Sequence, residues 1–392
     1  MRLGPVLTLA LLLCGTVATP QDQQAGGAAV QPQVQVDPKH QENLKNDVEL
    51  GKSVAKQIEK ELKFSENEEY KERVQRIGQE IAAIANTTRV KVTWGDKRLS
   101  PYEYHFFVVK GEDVNAFSVP GGYIYIYEGL VEFSESDDEL AGVIAHEVAH
   151  ASFRHIATMQ KEQAKLDWIS LGAILAAIWS PRDAGNILVP AGFAIQGVQS
   201  GWSVDAEESA DFGGLQYIMR SKYNPLGTLT FMERLAYRDV HKPRIDWGIF
   251  RTHPPSEERA KTLVGELRAL NVPFNRSSVT KSLRATNKIG DTGIELWFGD
   301  TKVHVFSGDT AQTRADRASD HLNEFFDRIP ALYELQARGQ ALYGSNRRLF
   351  EIEADDAQAQ GKSVEKSTSD AVQALKRALF DLAYRVAVSK VG

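Results

Sequence analysis

The sequence predicts an α+β protein that is mainly helical, carries a small β-sheet and ends in a smaller α+β domain. Apolar residues recur every three or four positions between Glu42 and Ala85, a spacing typical of amphipathic helices. Aromatic and β-branched residues then alternate as far as Tyr127, which indicates strands. We expect a signal peptide at 1–18, a flexible linker at 19–41, a main domain at 42–275 and a C-terminal α+β domain of unknown role at 285–392.

The composition is ordinary for a globular protein and argues against one class of partner. Of 392 residues, 42% are hydrophobic and 25% are charged, and the net charge is -6. No run of Lys and Arg interleaved with aromatic residues is present, so nucleic acid is not an expected partner.

The N-terminus has the layout of an export signal. Arg2 precedes the apolar stretch Val6–Leu13, which is too short to span a bilayer, and small residues follow up to Ala18. Cleavage there would remove Cys14, the only cysteine, and leave no thiol for a disulfide or for catalysis. Leucines precede Cys14 where an acylation site normally has a small residue, so lipoprotein anchoring is the less favoured alternative. We expect an exported protein of the periplasm or cell envelope.

The remaining elements follow from periodicity and end signals. Ser136, with Glu139 three residues later, forms a capping-box pattern that opens a helix over 137–154. The apolar patches Leu166–Trp179 and Ile187–Ile195 are too short to span a membrane, which leaves buried helices or a membrane-facing hairpin. The expected strands are Val90–Trp94, Tyr104–Val109, Gly122–Tyr127, the hairpin Gly293–Phe298 with Lys302–Phe306, and Leu349–Glu353, and the other expected helices are 204–221, 225–239, one from Ser256, 313–341 and 365–388.

The helix at 137–154 contains the motif His146-Glu147-Val148-Ala149-His150. Residues four apart lie on one face of a helix, so both imidazoles can reach one zinc ion while Glu147 points at a water on that ion. Apolar residues before and within the motif indicate a buried helix, in which two His and a Glu without a shared partner would be costly. The motif therefore favours a metal site over a solvated surface helix.

A catalytic zinc site needs a third protein ligand. Six residues after His150 the chain has Ile156, and His155 is rotated away from the ligand face, so neither supplies it. Glu207 and Asp211 lie four apart on a predicted helix, which can place one carboxylate on the metal and the other on the free N–H of a ligand His. A solvated acidic helix start is the alternative interpretation of these two residues.

Four blocks together resemble a known family: Asn115-Ala116-Phe117 with Pro120-Gly121-Gly122, the His146–His150 motif with Arg154-His155, the Glu207–Asp211 block, and Thr252-His253-Pro254 leading to Arg259. This chain resembles the HtpX-like and CAAX-prenyl-endopeptidase-like zinc metallopeptidases, in their soluble exported bacterial branch, over about residues 47–265. The resemblance implies a gluzincin fold, one Zn²⁺ per chain and Glu207 as the third ligand beside His146 and His150. It implies nothing firm after about residue 285.

The resemblance also implies roles in peptide hydrolysis. Glu147 would take the proton of a zinc-activated water and pass it to the leaving amine. The segment Asn115–Ala116 resembles an edge strand that holds an extended substrate. Two roles are open for His253: to stabilise the tetrahedral intermediate, or to occupy the fourth zinc position and keep the enzyme latent.

Three functional hypotheses remain at this point. The first is an endopeptidase for unfolded or misassembled envelope proteins, acting in protein quality control. The second is an envelope chaperone or assembly module with a regulated or mainly structural zinc site. The third, based on the apolar patches, is a protease that contacts the membrane surface. The expected partner is a protein or peptide substrate, and the oligomeric state is left open.

Overall fold

The computed structural model describes residues 37–162, 204–241, 257–328 and 332–386. The expected signal peptide, residues 19–36 of the expected linker, both apolar patches and His253 lie outside these residues. No helix among the described residues is long and apolar enough to cross a bilayer.

The first part of the described chain is mostly helical around one small sheet. Its helices are α1 (Pro38–Glu61), α2 (Glu68–Thr87), α3 (Glu128–Phe133), α4 (Asp137–Ser152), α5 (His155–Glu162), α6 (Val204–Ile218), α7 (Leu226–His241), α8 (Glu257–Ala269) and α9 (Arg276–Val279). Its strands are β1 (His105–Val109), β2 (Ala116–Val119) and β3 (Tyr123–Tyr127). They lie in the order β1-β3-β2, with β1 parallel and β2 antiparallel to β3.

The C-terminal part contains two further three-stranded sheets. The strands are β4 (Ala285–Ile289), β5 (Ile294–Phe298), β6 (Thr301–Phe306), β7 (Leu335–Arg338), β8 (Ala341–Gly344) and β9 (Arg347–Glu351). The helices are α10 (Ala311–Asp327), α11 (Ala354–Ala359) and α12 (Val364–Val386). Both sheets are antiparallel meanders in sequence order, and the fold as a whole is the expected α+β class.

Helix α4 is the centre of the first apolar core. Every residue from Glu139 to Ser152 is buried, because α2, α6, α7 and β2 pack around it. Ser136 Oγ accepts a hydrogen bond from the Glu139 N–H at 3.2 Å, as the capping pattern predicts. In a complete capping box the Glu139 carboxylate would accept a hydrogen bond from the N–H of the N-cap, Ser136. Here it accepts instead from the N–H of Glu135, one residue earlier.

A separate apolar core lies beneath the C-terminal sheets, and polar contacts join it to the first part. The second core includes Leu296, Phe306, Leu322 and Leu375, all fully buried. Arg276 of α9 is buried and donates both to the Glu233 carboxylate of α7, at 2.9 and 2.7 Å, and to the Asp327 carbonyl at the end of α10, at 2.7 Å. The presence of two separate apolar cores agrees with the C-terminal domain expected from residue 285. The position of the domain boundary stays a prediction.

The structure corrects four local expectations. The expected strand Val90–Trp94 is wrong, since Lys91 N–H and Trp94 N–H donate to the Gln216 and Ser209 side chains of α6 instead of to a strand. The expected helix 313–341 ends at Asp327, because Pro330 cannot continue it and β7 and β8 turn at Gly339. Helix α1 begins at Pro38, inside the expected linker, rather than near Glu42, and the Asp37 side chain caps it. Strand β4 and helix α11 were not expected.

Candidate metal centre

Helix α4 brings the two motif histidines together. His146 and His150 are one helical turn apart, and their Nε2 atoms lie 3.0 Å from each other. Both side chains are buried, with His150 fully so. Two imidazole nitrogens directed at one point are therefore removed from bulk water.

Helix α6 supplies a carboxylate at the same point. Glu207 Oε2 lies 3.5 Å from His146 Nε2, and Glu207 Oε1 lies 3.4 Å from His150 Nε2. Among the described residues, His146, His150 and Glu207 are the group whose arrangement can hold a metal ion. Tetrahedral ligands about 2.0–2.1 Å from zinc lie about 3.3 Å from one another, so the N, N, O donor set fits zinc in chemistry and in spacing.

A glycine allows the two helices to approach this closely. A Cβ added at Gly214 of α6 would lie 3.0 Å from the backbone nitrogen of His146. Such a contact is tighter than packed side chains normally make. The distance between Glu207 and the histidines therefore depends on Gly214, although Gly214 offers no ligand atom.

Asp211 and Arg259 surround the cluster with a buried network. Asp211 Oδ1 lies 2.9 Å from His146 Nδ1, the contact that the spacing of the acidic block predicts. Arg259 of α8 contacts Glu207 at 2.8 Å and both oxygens of Asp211 at 2.7 and 2.9 Å. Burial raises the pKa of Asp211, but the charge of Arg259 and the contact with His146 outweigh it and hold that pKa well below its usual range.

His155 supports His150 from the other side. His155 Nδ1 lies 2.8 Å from His150 Nδ1, and His155 Nε2 lies 3.1 Å from the Trp94 carbonyl oxygen. Burial lowers the pKa of His155 to about 4, against the opposing Trp94 contact, so the ring is neutral. A carbonyl only accepts, so His155 Nε2–H must donate to it and His155 Nδ1 must accept from His150 Nδ1–H. This leaves the Nε2 lone pair of His150 directed at the centre.

The same reasoning fixes the proton on His146 when no metal is bound. Burial lowers the pKa of His146, but hydrogen bonds to Asp211 and Glu207 outweigh it and raise that pKa to about 10. Burial holds the pKa of His150 well below its usual value. The His146 Nε2–H therefore donates to His150 Nε2, and one proton lies where the three donor atoms converge.

A tight turn at the end of α4 places His155. Arg154 has a positive φ of 52°, which is uncommon for a residue with a side chain. Its guanidinium contacts Asp47 of α1 at 2.5 Å and Asp96 at 2.9 Å. This buried ion-pair network holds the turn and hence the ring of His155.

The remaining predicted site residues lie in different places. Glu147 is fully buried on α4, between the two histidines in sequence. Asn115 is buried directly before β2, and Ala116 begins β2, which is one of the two edge strands of its sheet and packs against α4. His253 lies outside the described residues. The contacts of His155 and Arg259 were not predicted, because only the fold brings them to the histidines.

The comparison with family models decides the classification. The model described as Peptidase family M48 matches residues 69–267, about half of the chain. This chain belongs to peptidase family M48. The match includes α4, α6 and Arg259 and ends before the C-terminal sheets, so the predicted family resemblance is confirmed.

Individual relatives of this peptidase family agree. The chain is 35% identical over 162 residues to the beta-barrel assembly-enhancing protease of Escherichia coli, covering 40% of this chain and 33% of the relative. It is 29% identical over 166 residues to the mitochondrial metalloendopeptidase OMA1 of Saccharomyces cerevisiae, covering 42% of this chain and 46% of the relative. It is 28% identical over 166 residues to the metalloprotease YcaL of Escherichia coli, covering 41% of this chain and 61% of the relative. The chain thus spans about a third of the length of the first of these relatives.

Proposed function

We propose that this protein is a zinc-dependent endopeptidase. The observation that carries the proposal is the convergence of two imidazole nitrogens and one carboxylate at His146, His150 and Glu207, within the region that matches the peptidase family. These three residues would hold one Zn²⁺ per chain. The bound ion would act as a Lewis acid, lowering the pKa of a water molecule and polarising the scissile carbonyl.

The chain's own residues would do the rest of the chemistry. Glu147 would take the proton of the attacking water and give it to the leaving amine, the usual task of a carboxylate between two ligand histidines. Asp211 and His155 would fix the Nδ1 protons of His146 and His150, so that both Nε2 lone pairs face the ion. Arg259 would balance the charge of the two carboxylates that it contacts.

The edge strand β2 would bind the substrate. Its outer side has no strand neighbour among the described residues, and α4 packs nearby. An extended peptide can add to such an edge through backbone hydrogen bonds, which suits a protease that accepts varied sequences. We assign Asn115 and Ala116 to substrate binding. For His253 both predicted roles stand: to stabilise the tetrahedral intermediate, or to occupy the fourth zinc position and keep the enzyme latent.

We propose unfolded or misassembled proteins of the cell envelope as the substrates. Support comes from the export signal expected at residues 1–18 and from the printed name of a relative, the beta-barrel assembly-enhancing protease. A periplasmic location agrees with both. The alternative, an envelope chaperone or assembly module with a mainly structural zinc site, would not need Glu147.

The test is zinc content and casein cleavage of the wild type beside Glu147→Gln. We expect one zinc per chain in both proteins and about a 10²–10⁴-fold loss of cleavage in the variant, the usual contribution of a general base. Glu208→Gln is the matched control, since Glu208 neighbours Glu207 on α6 but lies outside the ligand group. A wild type without zinc would refute the metal assignment, and full cleavage by Glu147→Gln would refute its role as the base. Suppression of aggregation without any cleavage would favour the chaperone.

A further inference from the structure

A short segment of backbone lies along helix α6 and is bound by the side chains of that helix. Lys91 N–H donates to Gln216 Oε1 at 3.3 Å, and Gln216 Nε2 donates to the Lys91 carbonyl at 3.2 Å. Trp94 N–H donates to Ser209 Oγ at 3.1 Å, and the Ser209 hydroxyl donates to the Trp94 carbonyl at 2.8 Å. At each point one side chain binds both backbone groups of one residue, as the neighbouring strand of a sheet would.

The spacing of these two contacts fixes the segment against the helix. Ser209 and Gln216 lie on one face of α6, and their separation of seven residues is about 10.5 Å along a helix. Lys91 and Trp94 are three residues apart, which is about 10 Å in an extended chain. The two lengths agree, so both contacts form at once and the segment runs antiparallel to α6.

The contact at Trp94 reaches the candidate metal centre. The Trp94 carbonyl also accepts a hydrogen bond from His155 Nε2–H, at 3.1 Å, so Ser209 and His155 share one acceptor oxygen. His155 Nδ1 in turn accepts from His150 Nδ1–H at 2.8 Å. A continuous chain of hydrogen bonds therefore runs from Ser209 of α6 to the ring of His150 on α4. The contact between Gln216 and Lys91 is exposed to solvent at the other end of the segment.

This chain closes a loop around the ligand histidine. Ser209 is fully buried and lies two residues after Glu207. Two residues on a helix are rotated by about 200°, so Ser209 and Glu207 leave α6 on opposite sides. Glu207 lies 3.4 Å from His150 Nε2, whereas Ser209 reaches Nδ1 of the same ring through Trp94 and His155. Both nitrogens of His150 are therefore linked to α6.

Two further observations show that the segment is fitted to His155. A serine hydroxyl inside a helix can bond a carbonyl one turn earlier, but Ser209 Oγ donates to Trp94 instead. Gly95 has a positive φ of 112°, and a Cβ added there would lie 2.8 Å from Cδ2 of His155. Asp96 N–H then donates to the Phe153 carbonyl at 2.7 Å. The backbone on both sides of the shared carbonyl is thus held against the turn that contains His155.

We propose that Ser209 is a positioning residue of the metal site, which acts through the Trp94 carbonyl and His155 on the ring of His150. The Ser209 hydroxyl holds the Trp94 carbonyl in place as the acceptor for His155 Nε2–H. His155 Nδ1 is then left to accept from His150 Nδ1–H, and His150 Nε2 faces the centre. This inference rests on the proposed zinc-dependent function.

The test is the zinc affinity of the full chain carrying Ser209→Ala, measured by competition with a chelator. Alanine is the strongest helix former, so α6 should keep its shape and lose only the hydroxyl. We expect zinc binding to weaken about threefold, because one hydrogen bond that supports His155 is lost. In a chain that also carries His155→Leu, Ser209→Ala should have no further effect, since the route through His155 is already broken.

Two matched variants separate this route from general packing. Gln216→Ala removes the equivalent contact at Lys91, on the same segment and the same face of α6. Ser152→Ala removes another buried hydroxyl that joins α4 to α6, through a contact of 2.9 Å with the Tyr217 hydroxyl. Both variants should bind zinc as the wild type does.

Each other outcome counts against the proposal. An equal loss of affinity in either control, or additive losses from Ser209→Ala and His155→Leu, would assign the effect to packing between α4 and α6. Unchanged zinc affinity in Ser209→Ala would show that Ser209 only satisfies the backbone of Trp94, and failure of this variant to fold would make its role purely structural. A wild type without zinc would refute the proposed function as well, whereas the other outcomes leave that function intact.

Discussion

Two buried clusters in this molecule contain the same residue types, yet they differ in what they can do. In the first, Asp211 is held by Arg259 and contacts His146. In the second, Asp356 accepts two hydrogen bonds from Arg314, both at 2.7 Å, and lies 3.4 Å from His304 Nε2. Each aspartate has a pKa held well below its usual range by charged and hydrogen-bonding neighbours that outweigh burial.

The difference lies in the remaining partners. Asp356 also accepts from the backbone N–H groups of Ser307 and Glu353 at 2.7 and 2.9 Å, so it joins β6 to the start of α11. Asp211 contacts side chains, and one of them, His146, presents its other nitrogen to His150 and Glu207. An Asp–Arg–His arrangement is thus structural in one place and a support for ligands in the other. What distinguishes the first cluster is that the second nitrogen of its histidine, His146 Nε2, converges with donor atoms of His150 and Glu207.

Matched substitutions of the two aspartates give the largest contrast. Asp211→Asn should weaken zinc binding about 10–100-fold, the usual effect of removing a carboxylate behind a ligand histidine. Asp356→Asn should leave zinc affinity unchanged and destabilise the fold by about 1–3 kcal/mol, because the partly buried Arg314 loses its carboxylate partner at 2.7 Å and keeps only the Glu353 carboxylate at 3.6 Å. Chelator competition and chemical denaturation measure the two quantities. Weaker zinc binding in Asp356→Asn would contradict the separation of the clusters.

The pH dependence of zinc binding sharpens the same contrast. In the metal-free protein the pKa of His146 is raised to about 10, so zinc must displace its proton over the whole neutral range. Affinity should therefore rise about tenfold per pH unit between pH 6 and pH 8. His150, whose pKa burial lowers, should release no proton in this range.

The stability of the metal-free fold should depend on pH in the opposite direction to zinc affinity. Because the folded pKa of His146 lies above its ordinary value of 6.5, protonation stabilises the metal-free fold below about pH 6.5. This contribution should be lost as the pH rises through about 10. Asp356→Asn should preserve the slope of affinity with pH, and a flat affinity in the wild type would contradict the assignment of the proton to His146.

Replacing the two supporting histidines should give the smallest effect. His155→Leu removes the acceptor of the His150 Nδ1–H and should weaken zinc binding up to about tenfold. His155→Gln offers both an acceptor and a donor and should restore part of the affinity. His304→Leu, in the second cluster, should leave zinc affinity unchanged. An unchanged affinity in His155→Leu would show that His155 only fills space.

The sequence predicted α4 and α6 because local signals define them. The spacing of His146 and His150, the cap at Ser136 and the pair Glu207 and Asp211 depend on helical periodicity alone. The contacts of His155 and Arg259 depend on a turn and on a distant helix, which periodicity does not specify. Val90 and Val92 have strand propensity, yet α6 side chains bond the backbone at Lys91 and Trp94, so tertiary contacts override it. In the C-terminal part, Pro330 and Gly339 lie within the expected helix 313–341 and are helix-ending residues. The prediction of one long helix did not take them into account.

The close approach at Gly214 affects how a mutational map of this protein should be interpreted. An alanine there would push α6 away from α4 by a few tenths of an ångström and shift Glu207 relative to the histidines, although Gly214 itself offers no ligand atom. Loss of activity at Gly214 would look like loss of a ligand. Only a metal-binding measurement across a graded series of side chains would distinguish helix spacing from chemistry. Positions at which substitution abolishes activity will therefore include residues that set the packing of α4 against α6, as well as the reacting groups between these helices.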